Sequence, residues 1–407
     1  MKTPMAFIVT IIVGFIYSSV TFAGGFLIYD RDAAATAMAN AYTAQADRPS
    51  AIFFNPAGIN QLEGTQVSAA GVIVIPSTTY RDPSTGHKTD MEHHTFVLPN
   101  FFITHKINDK FAAGFGLFCP FGLTTDWPDN WEGRYISTFA ELKTYFLNPV
   151  ISWQVHPKLS LAAGFNYVYS ELKLKKAMDF SIFGQPDGKT NISGDGHGYG
   201  FNMGLLYHIT EHIDLGISYR SRVNMEYDGD AQFNNIPGFL GTMFQNGDVS
   251  VDITLPSILA LGLAVTPFEK WTFEFDFYWV DWSVYKELSA DFENPNTPDE
   301  TVPRDWHDTY SFAIGAKYQL SKSIVLRGGY MFDTEAVPEK TLDPVLPDSN
   351  SHLVSFGVGY QHEGFSFDVG YRAIFFEDRS THNNIQGFNG EYESFYHIIA
   401  INLQYVF

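Results

Sequence analysis

The chain has 407 residues and a formal charge of −20 at neutral pH, which argues against nucleic acid as a partner because both molecules would be negative. Aromatic residues make up 16% of it, with 34 glycines and 22 tyrosines, a composition typical of strands and tight turns rather than helices. Cys119 is the sole cysteine, so an intramolecular disulfide is impossible.

The first 23 residues have the pattern of a secretory signal peptide. Lys2 precedes an apolar run from Met5 to Tyr17, and the segment ends in the small residue Ala23. This run is shorter than the roughly 20 residues of a spanning helix, and no comparable run follows it. If the chain crosses a membrane, it must do so as a closed barrel, since only helices and barrels pair every backbone group in lipid.

Residues 24–64 lack the alternation of apolar and polar positions that marks the rest of the chain. The small residues of Ala33–Ala41 favour a helix, but so short a helix is stable only when it packs against something. A large barrel has a lumen that its own side chains do not fill. The segment 24–64 is therefore predicted to be a small helical plug inside a barrel.

From residue 65 onward, two-faced segments are separated by gaps of two alternating sizes. Short turns such as 108–109 and 362–363 alternate with long polar gaps such as 176–195 and 377–390. This alternation is typical of bacterial outer-membrane barrels, and it separates about fourteen segments. The sequence therefore predicts an all-β fold, in which residues 65–407 form a transmembrane antiparallel β-barrel of that many strands.

The C-terminal strand shows the two faces most clearly. Ile399, Ile401 and Leu403 share one side, whereas Asn402 and Gln404 lie on the other. Neighbouring side chains of a strand point to opposite faces, so one face needs lipid or core and the other tolerates water. A soluble β-sandwich would also alternate, but so many aromatic-rich faces would overfill its core.

Three stretches resemble the FadL/TodX-type outer-membrane transporters of long-chain fatty acids and other hydrophobic compounds. They are Gly25–Leu27, the block 51–58 and the block 120–135. The resemblance extends over the whole mature chain. One departure is Asp47-Arg48, where the family usually has two acidic residues, so a family role of that acidic pair cannot be carried over.

The resemblance implies a multi-pass protein of the bacterial outer membrane, surrounded by outer-membrane lipid and lipopolysaccharide. It implies a plug, called a hatch in that family, and passive uptake of a fatty acid or another hydrophobic molecule. The terminal Phe407 looks like the signal that the barrel-assembly machinery reads. No cofactor, metal or catalytic residue is implied.

Two candidate sites concern the backbone. Asn55, Pro56, Ala57 and Gly58 form a turn that either simply ends the helical region or places the hatch against the wall, as the family suggests. Gly114, Gly116 and Pro120 weaken the ladder of the third strand. They either make room for the plug or contain the inward kink through which ligand leaves sideways in the family.

Other candidates concern the ligand itself. Arginines on the polar faces of strands either pair with acids or hold a carboxylate head group; they are Arg220, Arg327 and Arg372. Apolar side chains of the hatch could line the ligand tail; they are Phe26, Leu27, Phe53 and Phe54. Aromatic and aliphatic residues after the third strand either capture ligand outside or form an interfacial belt; they are Phe121, Leu123, Trp127 and Trp131.

The leading hypothesis is a channel that captures a hydrophobic molecule at its loops, binds it against the hatch and releases it laterally. An outer-membrane lipid hydrolase is the alternative, but Ser394 and His397 lie on opposite strand faces, and a Gly-x-Ser-x-Gly elbow is absent from the sequence. A plain porin or structural barrel would need no hatch. The sequence does not identify which hydrophobic molecule is carried.

Overall fold

The computed structural model describes residues 24–407, so the predicted signal peptide lies outside the described residues. Fourteen strands form the wall of a closed antiparallel ring, in which each strand pairs with the next and the last pairs with the first. In chain order they are β1 (Thr65–Arg81), β2 (Phe96–Lys106), β3 (Phe111–Phe118), β4 (Phe139–His156), β5 (Leu159–Met178), β6 (Gly188–Thr210), β7 (Ile213–Arg220), β8 (Ile258–Phe268), β9 (Trp271–Val280), β10 (Thr309–Gln319), β11 (Ile324–Asp333), β12 (Ser351–His362), β13 (Phe365–Phe376) and β14 (Glu391–Val406).

Shorter elements lie in the connections. Within the described residues, two short α-helices precede the wall, α1 (Ala33–Ala37) and α2 (Ala51–Phe54). The 3₁₀ helices are Pro56–Gln61, Ser181–Phe183, Gly238–Leu240, Trp282–Val284 and Glu339–Thr341. The loop strands are Lys88–Asp90, Gly122–Asp126, Val223–Asn234, Gly247–Leu255, Glu287–Phe292, Glu300–Pro303 and Arg379–Ser380. Within residues 24–407, no helix is long and apolar enough to cross a membrane.

The predicted fourteen-stranded antiparallel barrel is confirmed, with short turns on one rim and long loops on the other. The length of two strands differs from the prediction. β5 and β6 contain 20 and 23 residues, so most of the predicted gap at 176–195 is paired strand. The polar side chains that suggested a loop there belong to a hairpin that continues beyond the roughly 9–11 residues needed to span the bilayer.

The two faces of the wall are as different as the alternation predicts. On β9, Phe275 is exposed while its neighbours Glu274 and Asp276 are buried inside. On β14, Ile401 and Leu403 are exposed while Asn402 is buried. Apolar side chains that face outward in this way would be unfavourable in water but suit the hydrocarbon of a bilayer.

Residues 24–64 lie inside the ring and touch opposite parts of its wall. The side chains of α1 are all buried, and the helix packs against β12 and β13. The 3₁₀ helix Pro56–Gln61 packs against β4, β5 and β6. Asp32 caps α1 by accepting a hydrogen bond from the Ala34 backbone nitrogen at 2.7 Å, as is usual for a helix N-terminus.

Buried ion pairs tie this segment to the wall. Asp30 pairs with Arg372 of β13 at 2.9 Å. Arg48, the residue that departs from the family pattern, lies between Asp32 at 3.1 Å and Asp368 of β13 at 2.7 Å. Asp368 also accepts from Arg327 of β11 at 2.8 Å. The basic residue at position 48 therefore joins the inner segment to two wall strands.

Backbone amides of the inner segment make a second attachment, to β9. Asp276 accepts hydrogen bonds from the Tyr42 and Thr43 nitrogens, both at 2.9 Å. Glu274 accepts from the Ala44 nitrogen at 2.5 Å and from the Gln45 side chain at 2.7 Å. These two buried carboxylates hold an irregular stretch whose amides would otherwise lack partners.

A substitution of Phe356, on β12, can test whether the outer face contacts lipid, because this side chain is 60% exposed. Phe356→Arg should lower the free energy of unfolding from lipid vesicles by about 2–4 kcal/mol, the cost of an arginine near the bilayer midplane. Phe356→Leu, which stays apolar, is the matched control. Equal stability of the two variants would contradict a lipid-facing position.

Asp368 tests the attachment of the inner segment. Asp368→Asn removes the buried carboxylate that two arginines share, so the free energy of unfolding should fall by about 3 kcal/mol, as when one partner of a buried pair is lost. Denaturant titration of the protein in vesicles measures it. Asp378→Asn, at an exposed loop position, should change nothing, and an equal effect of both would reject the attachment.

Candidate functional site

The three arginines predicted as carboxylate anchors differ sharply in their partners. Arg327 and Arg372 are each bonded to an aspartate, as described above. Arg220, at the end of β7, is buried but forms no ion pair with any described residue. Its side chain donates to the amide oxygen of Asn166, and its Nη2 has no hydrogen-bond partner within residues 24–407.

Aromatic rings surround the Arg220 guanidinium. Its central carbon lies 5.2 Å from the Phe118 ring centre, 5.3 Å from that of Phe53 and 5.9 Å from that of Phe146. Such faces attract a cation but supply no full negative charge. The site therefore has a buried positive group whose charge is only partly compensated.

A second arginine, Arg31 of the inner segment, lies beside the same ring. Its guanidinium is 4.6 Å from the Phe53 ring centre. It donates to the backbone oxygens of Ile28 and Asp30, while its Nε has no partner in the described part of the chain. Arg31 is not among the predicted anchors, because it stands between Asp30 and Asp32 in the sequence, where pairing with a neighbour would be expected.

Phe53 and Phe54, predicted to line a ligand tail, border a small cavity between the inner segment and the wall. The cavity has a volume of about 20 Å³, so it holds about one water in this conformation. It is lined by Tyr29, Phe53, Phe54, Ser218, Arg220, Ile258, Ala260 and Tyr278. A ligand with a long tail could enter only if the inner segment moves.

Phe26 and Leu27, also predicted to line the ligand, contact the residues that follow β3. Phe26 contacts Trp282, with ring centres 4.6 Å apart, and lies among Phe121, Tyr285 and Trp306. Leu27 forms an isolated bridge with Phe121. The Ile28 nitrogen donates to the Pro120 oxygen at 2.8 Å, and the Gly122 nitrogen donates to the Phe26 oxygen at 3.0 Å.

The pairing of the third strand with the wall ends at Phe118, just before Pro120 and beyond the two glycines. Its ladder with β2 ends at the pair Phe101 and Leu117, and the chain then turns inward to the bridge just described. Gly114 and Gly116 lie inside the paired region of β3. A β-carbon on Gly114 would come 2.8 Å from Ile52, so the glycines make room for the inner segment.

The block 55–58 joins the inner segment to β6. The Asn55 side chain donates to the Thr43 and Leu205 oxygens, both at 2.9 Å, and accepts from the Ala57 nitrogen at 3.2 Å. Pro56 begins the 3₁₀ helix, and Gly58 lies against Ala46. The turn thus has contacts with the wall as well as a local cap.

The four side chains predicted to capture ligand outside are all buried, which contradicts a free capture surface in this conformation. Trp127 stacks on Trp131 with ring centres 4.3 Å apart, and their indole nitrogens donate to the Pro344 and Ser137 oxygens. Leu123 and Phe121 are buried too. The sequence does not distinguish apolar residues that form an exposed surface from apolar residues that, as here, form a small core within the loops.

A groove of about 630 Å³ opens instead between the long loops and the extended hairpin of β5 and β6. Its size is that of a typical small-molecule site. Apolar side chains line it together with three basic groups, of which Lys176 pairs with Glu300 and Arg304 pairs with Asp343 at 2.6 Å. The main lining residues are Phe139, Leu174, Ile192, Val251, Leu288 and Val302, with Lys175, Lys176 and Arg304.

The pair considered for hydrolysis is separated in the structure. Ser394 forms a hydrogen bond with Thr78 at 2.9 Å, whereas His397 bonds the Tyr371 hydroxyl at 2.7 Å. The two side chains project from opposite faces of β14, as their spacing predicts.

Relatives of known sequence are transport and outer-membrane proteins. The chain is 27% identical over 356 residues to a long-chain fatty acid transport protein of Escherichia coli, covering 78% of each chain. It is 23% identical over 372 residues to outer membrane protein P1 of Haemophilus influenzae, covering 80% of each.

Solved structures share the fold. A FadL homologue of Pseudomonas aeruginosa superposes with a TM-score of 0.85 at 19% identity, covering 94% of this chain and 99% of that one. The toluene transporter TodX of Pseudomonas putida gives 0.77 at 19% identity, covering 93% and 99%. The model of the family described as outer membrane protein transport protein (OMPP1/FadL/TodX) matches residues 14–407. The chain therefore belongs to this family of transport proteins of the bacterial outer membrane.

Proposed function

We propose that this protein takes up long-chain fatty acids passively across the outer membrane, with the carboxylate held in the lumen by Arg220 and Arg31. The relatives named for long-chain fatty acid transport support this substrate class, and the toluene transporter is a structural relative with an uncharged substrate. A positive group in the lumen that can bind a carboxylate would distinguish a fatty-acid transporter from a transporter of uncharged hydrocarbons.

The observation that carries the proposal is the unpaired state of these two arginines. Every buried charge costs free energy unless a partner compensates it, and both guanidinium groups lie beside the Phe53 ring with no carboxylate of residues 24–407 at ion-pair distance, since nearby Asp30 pairs with Arg372. Burial lowers the pKa of Arg31 to about 10, so this group still carries its charge at neutral pH. A fatty-acid carboxylate would supply the absent anion, and arginine binds carboxylates with two parallel hydrogen bonds.

Capture is assigned to the groove between the outer loops. It combines an apolar lining with Lys175, whose ammonium lies 4.9 Å from the Phe139 ring centre. An acyl chain would lie on the apolar side chains, and its carboxylate would remain near Lys175, since Lys176 and Arg304 are paired with acids. This groove replaces the buried aromatic block as the first point of contact.

Release is assigned to the place where the chain leaves the wall after Phe118. Residues 96–100 of β2 lie beyond the end of the β2–β3 ladder, next to the inward turn at Cys119 and Pro120. The same turn is bonded to Phe26 and Ile28, so displacement of the hatch by a ligand would also move this part of the wall. Lateral exit would deliver an apolar molecule into lipid without a passage through water.

The alternatives fit the structure less well. A plain porin needs an open lumen, and residues 24–64 occupy it here. A hydrolase needs a nucleophile beside a base, and Ser394 and His397 point to opposite faces. We therefore propose a channel without catalytic activity.

Arg220→Gln and Arg31→Gln test the head-group site. Each should weaken binding of a long-chain fatty acid at least about tenfold, since a charged hydrogen bond is worth roughly 1.5–3 kcal/mol, and should leave binding of the matching fatty alcohol unchanged. Calorimetry or fluorescence titration with the purified protein measures both affinities.

Arg222→Gln is the matched control, because Arg222 is exposed two positions from Arg220. Equal loss of acid and alcohol binding would indicate damage to the pocket instead of a lost head-group contact. Unchanged acid binding in both lumenal variants would reject these arginines as anchors and favour an uncharged substrate.

A fatty acid with a photoreactive diazirine at its terminal carbon tests the exit route. After illumination and digestion, mass spectrometry should find adducts on residues 118–123 and 96–100, which face each other across the departure of β3. Exit straight into the periplasm would place adducts near the opposite rim, on Gln45, Gln61 or Lys317. Adducts confined to that second set would overturn lateral release.

A further inference from the structure

Phe53, on α2, lies against both arginines of the proposed head-group site. Its ring centre is 4.6 Å from the guanidinium carbon of Arg31 and 5.3 Å from that of Arg220, and all three side chains are buried. Within residues 24–407, it is the one ring over which both guanidinium groups lie. A ring face stabilises a buried cation more strongly than an exposed one. The ring therefore provides part of the compensation that a carboxylate would provide.

The space beside the two arginines is too small for a ligand while this ring is in place. The adjoining cavity of about 20 Å³ holds about one water. A carboxylate with the first carbons of an acyl chain is larger than that. A fatty acid can therefore reach both guanidinium groups only if a side chain that borders the cavity is displaced.

The two tyrosines that border the cavity are fixed by hydrogen bonds. The Tyr29 hydroxyl lies 3.0 Å from the Ser311 hydroxyl, and the Tyr278 hydroxyl donates to the Asn40 oxygen at 2.6 Å. The side chain of Phe53 has no polar atom, so its displacement breaks no hydrogen bond of its own. It is also the bordering side chain that contacts both guanidinium groups, which makes it the one that a carboxylate must replace.

The helix that carries Phe53 is a single short turn between two attached residues. On one side, the Ser50 hydroxyl donates to the Asp32 carboxylate at 3.2 Å. On the other side, the Asn55 side chain donates to the Leu205 backbone oxygen at 2.9 Å. A rotation of α2 between these two points would withdraw the ring from the arginines while the attached parts of the inner segment stay in place.

We propose that Phe53 sets the affinity of the head-group site: in the empty protein its ring takes the place of the ligand carboxylate beside Arg31 and Arg220, and a fatty acid displaces it. This inference rests on the proposed function. Because the contacts between the ring and the two cations are lost when the ligand enters, the ring weakens binding. A residue that only lines the ligand tail would have the opposite effect, since its contacts with the ligand would strengthen binding.

Phe53→Leu tests the sign of this effect. The substitution keeps an apolar side chain but removes the ring face, so the affinity of the purified protein for palmitate, measured by calorimetry, should rise about tenfold. Phe54→Leu is the matched control, because Phe54 borders the same cavity but packs on Tyr42, with ring centres 5.7 Å apart. An equal or lower affinity in Phe53→Leu, or an equal rise in Phe54→Leu, would overturn the proposal.

A second measurement preserves the shape of the side chain and decides the matter if Phe53→Leu fails to assemble. Phenylalanine analogues with increasing numbers of ring fluorines, incorporated at position 53, reduce the negative charge of the ring face stepwise. The affinity for palmitate should rise with each added fluorine. A constant or falling affinity along this series would show that the ring does not compete with the carboxylate.

Hexadecanol, which has the same chain length without the charge, separates this proposal from the proposed function. If the wild-type protein binds palmitate no more tightly than hexadecanol, the head-group site itself is rejected, and the role of Phe53 is rejected with it. If palmitate is preferred but neither Phe53→Leu nor fluorination strengthens its binding, the head-group site stands and only the role of Phe53 is rejected.

Discussion

Lipid offers no hydrogen-bond partner to a peptide group, so every strand of the wall depends on the strand beside it. The critical junction is the pairing of β1 with β14, where sixteen residue pairs join the two ends of the sheet. Once the ring is closed, neither the first nor the last strand of the wall is an edge strand. Its interior is then an enclosed polar space that the chain itself must fill, and the segment 24–64 fills it.

Enclosure gives the charged groups of the lumen unequal surroundings. Asp30, Asp368 and their arginines compensate one another, and Glu274 and Asp276 accept hydrogen bonds from backbone amides. Arg31 and Arg220 have aromatic faces and neutral oxygens instead. This contrast distinguishes Arg31 and Arg220 from the charged groups named above, which are compensated by ion pairs or by backbone amides.

The wall was predictable from sequence because a period of two is visible in one strand at a time. The sequence did not predict which arginine lacks an ion-pair partner. Arg220, Arg327 and Arg372 all occupy the same kind of inward position, and their partners come from segments far away in the chain. The glycines of β3 were ambiguous for a similar reason: only the position of Ile52 shows what they accommodate. The burial of Trp127 and Trp131 was not predicted, because residues buried inside a cluster of loops have no regular spacing in the sequence.

The hairpin of β5 and β6 is longer than a membrane crossing requires. A strand of 23 residues has more than twice the roughly 9–11 residues with which a tilted strand crosses the hydrocarbon layer. The upper part of this hairpin, with Leu174 and Ile192 in the groove, therefore stands clear of the bilayer. The groove between this hairpin and the long loops therefore lies at a distance from the hydrocarbon layer, where water reaches it directly.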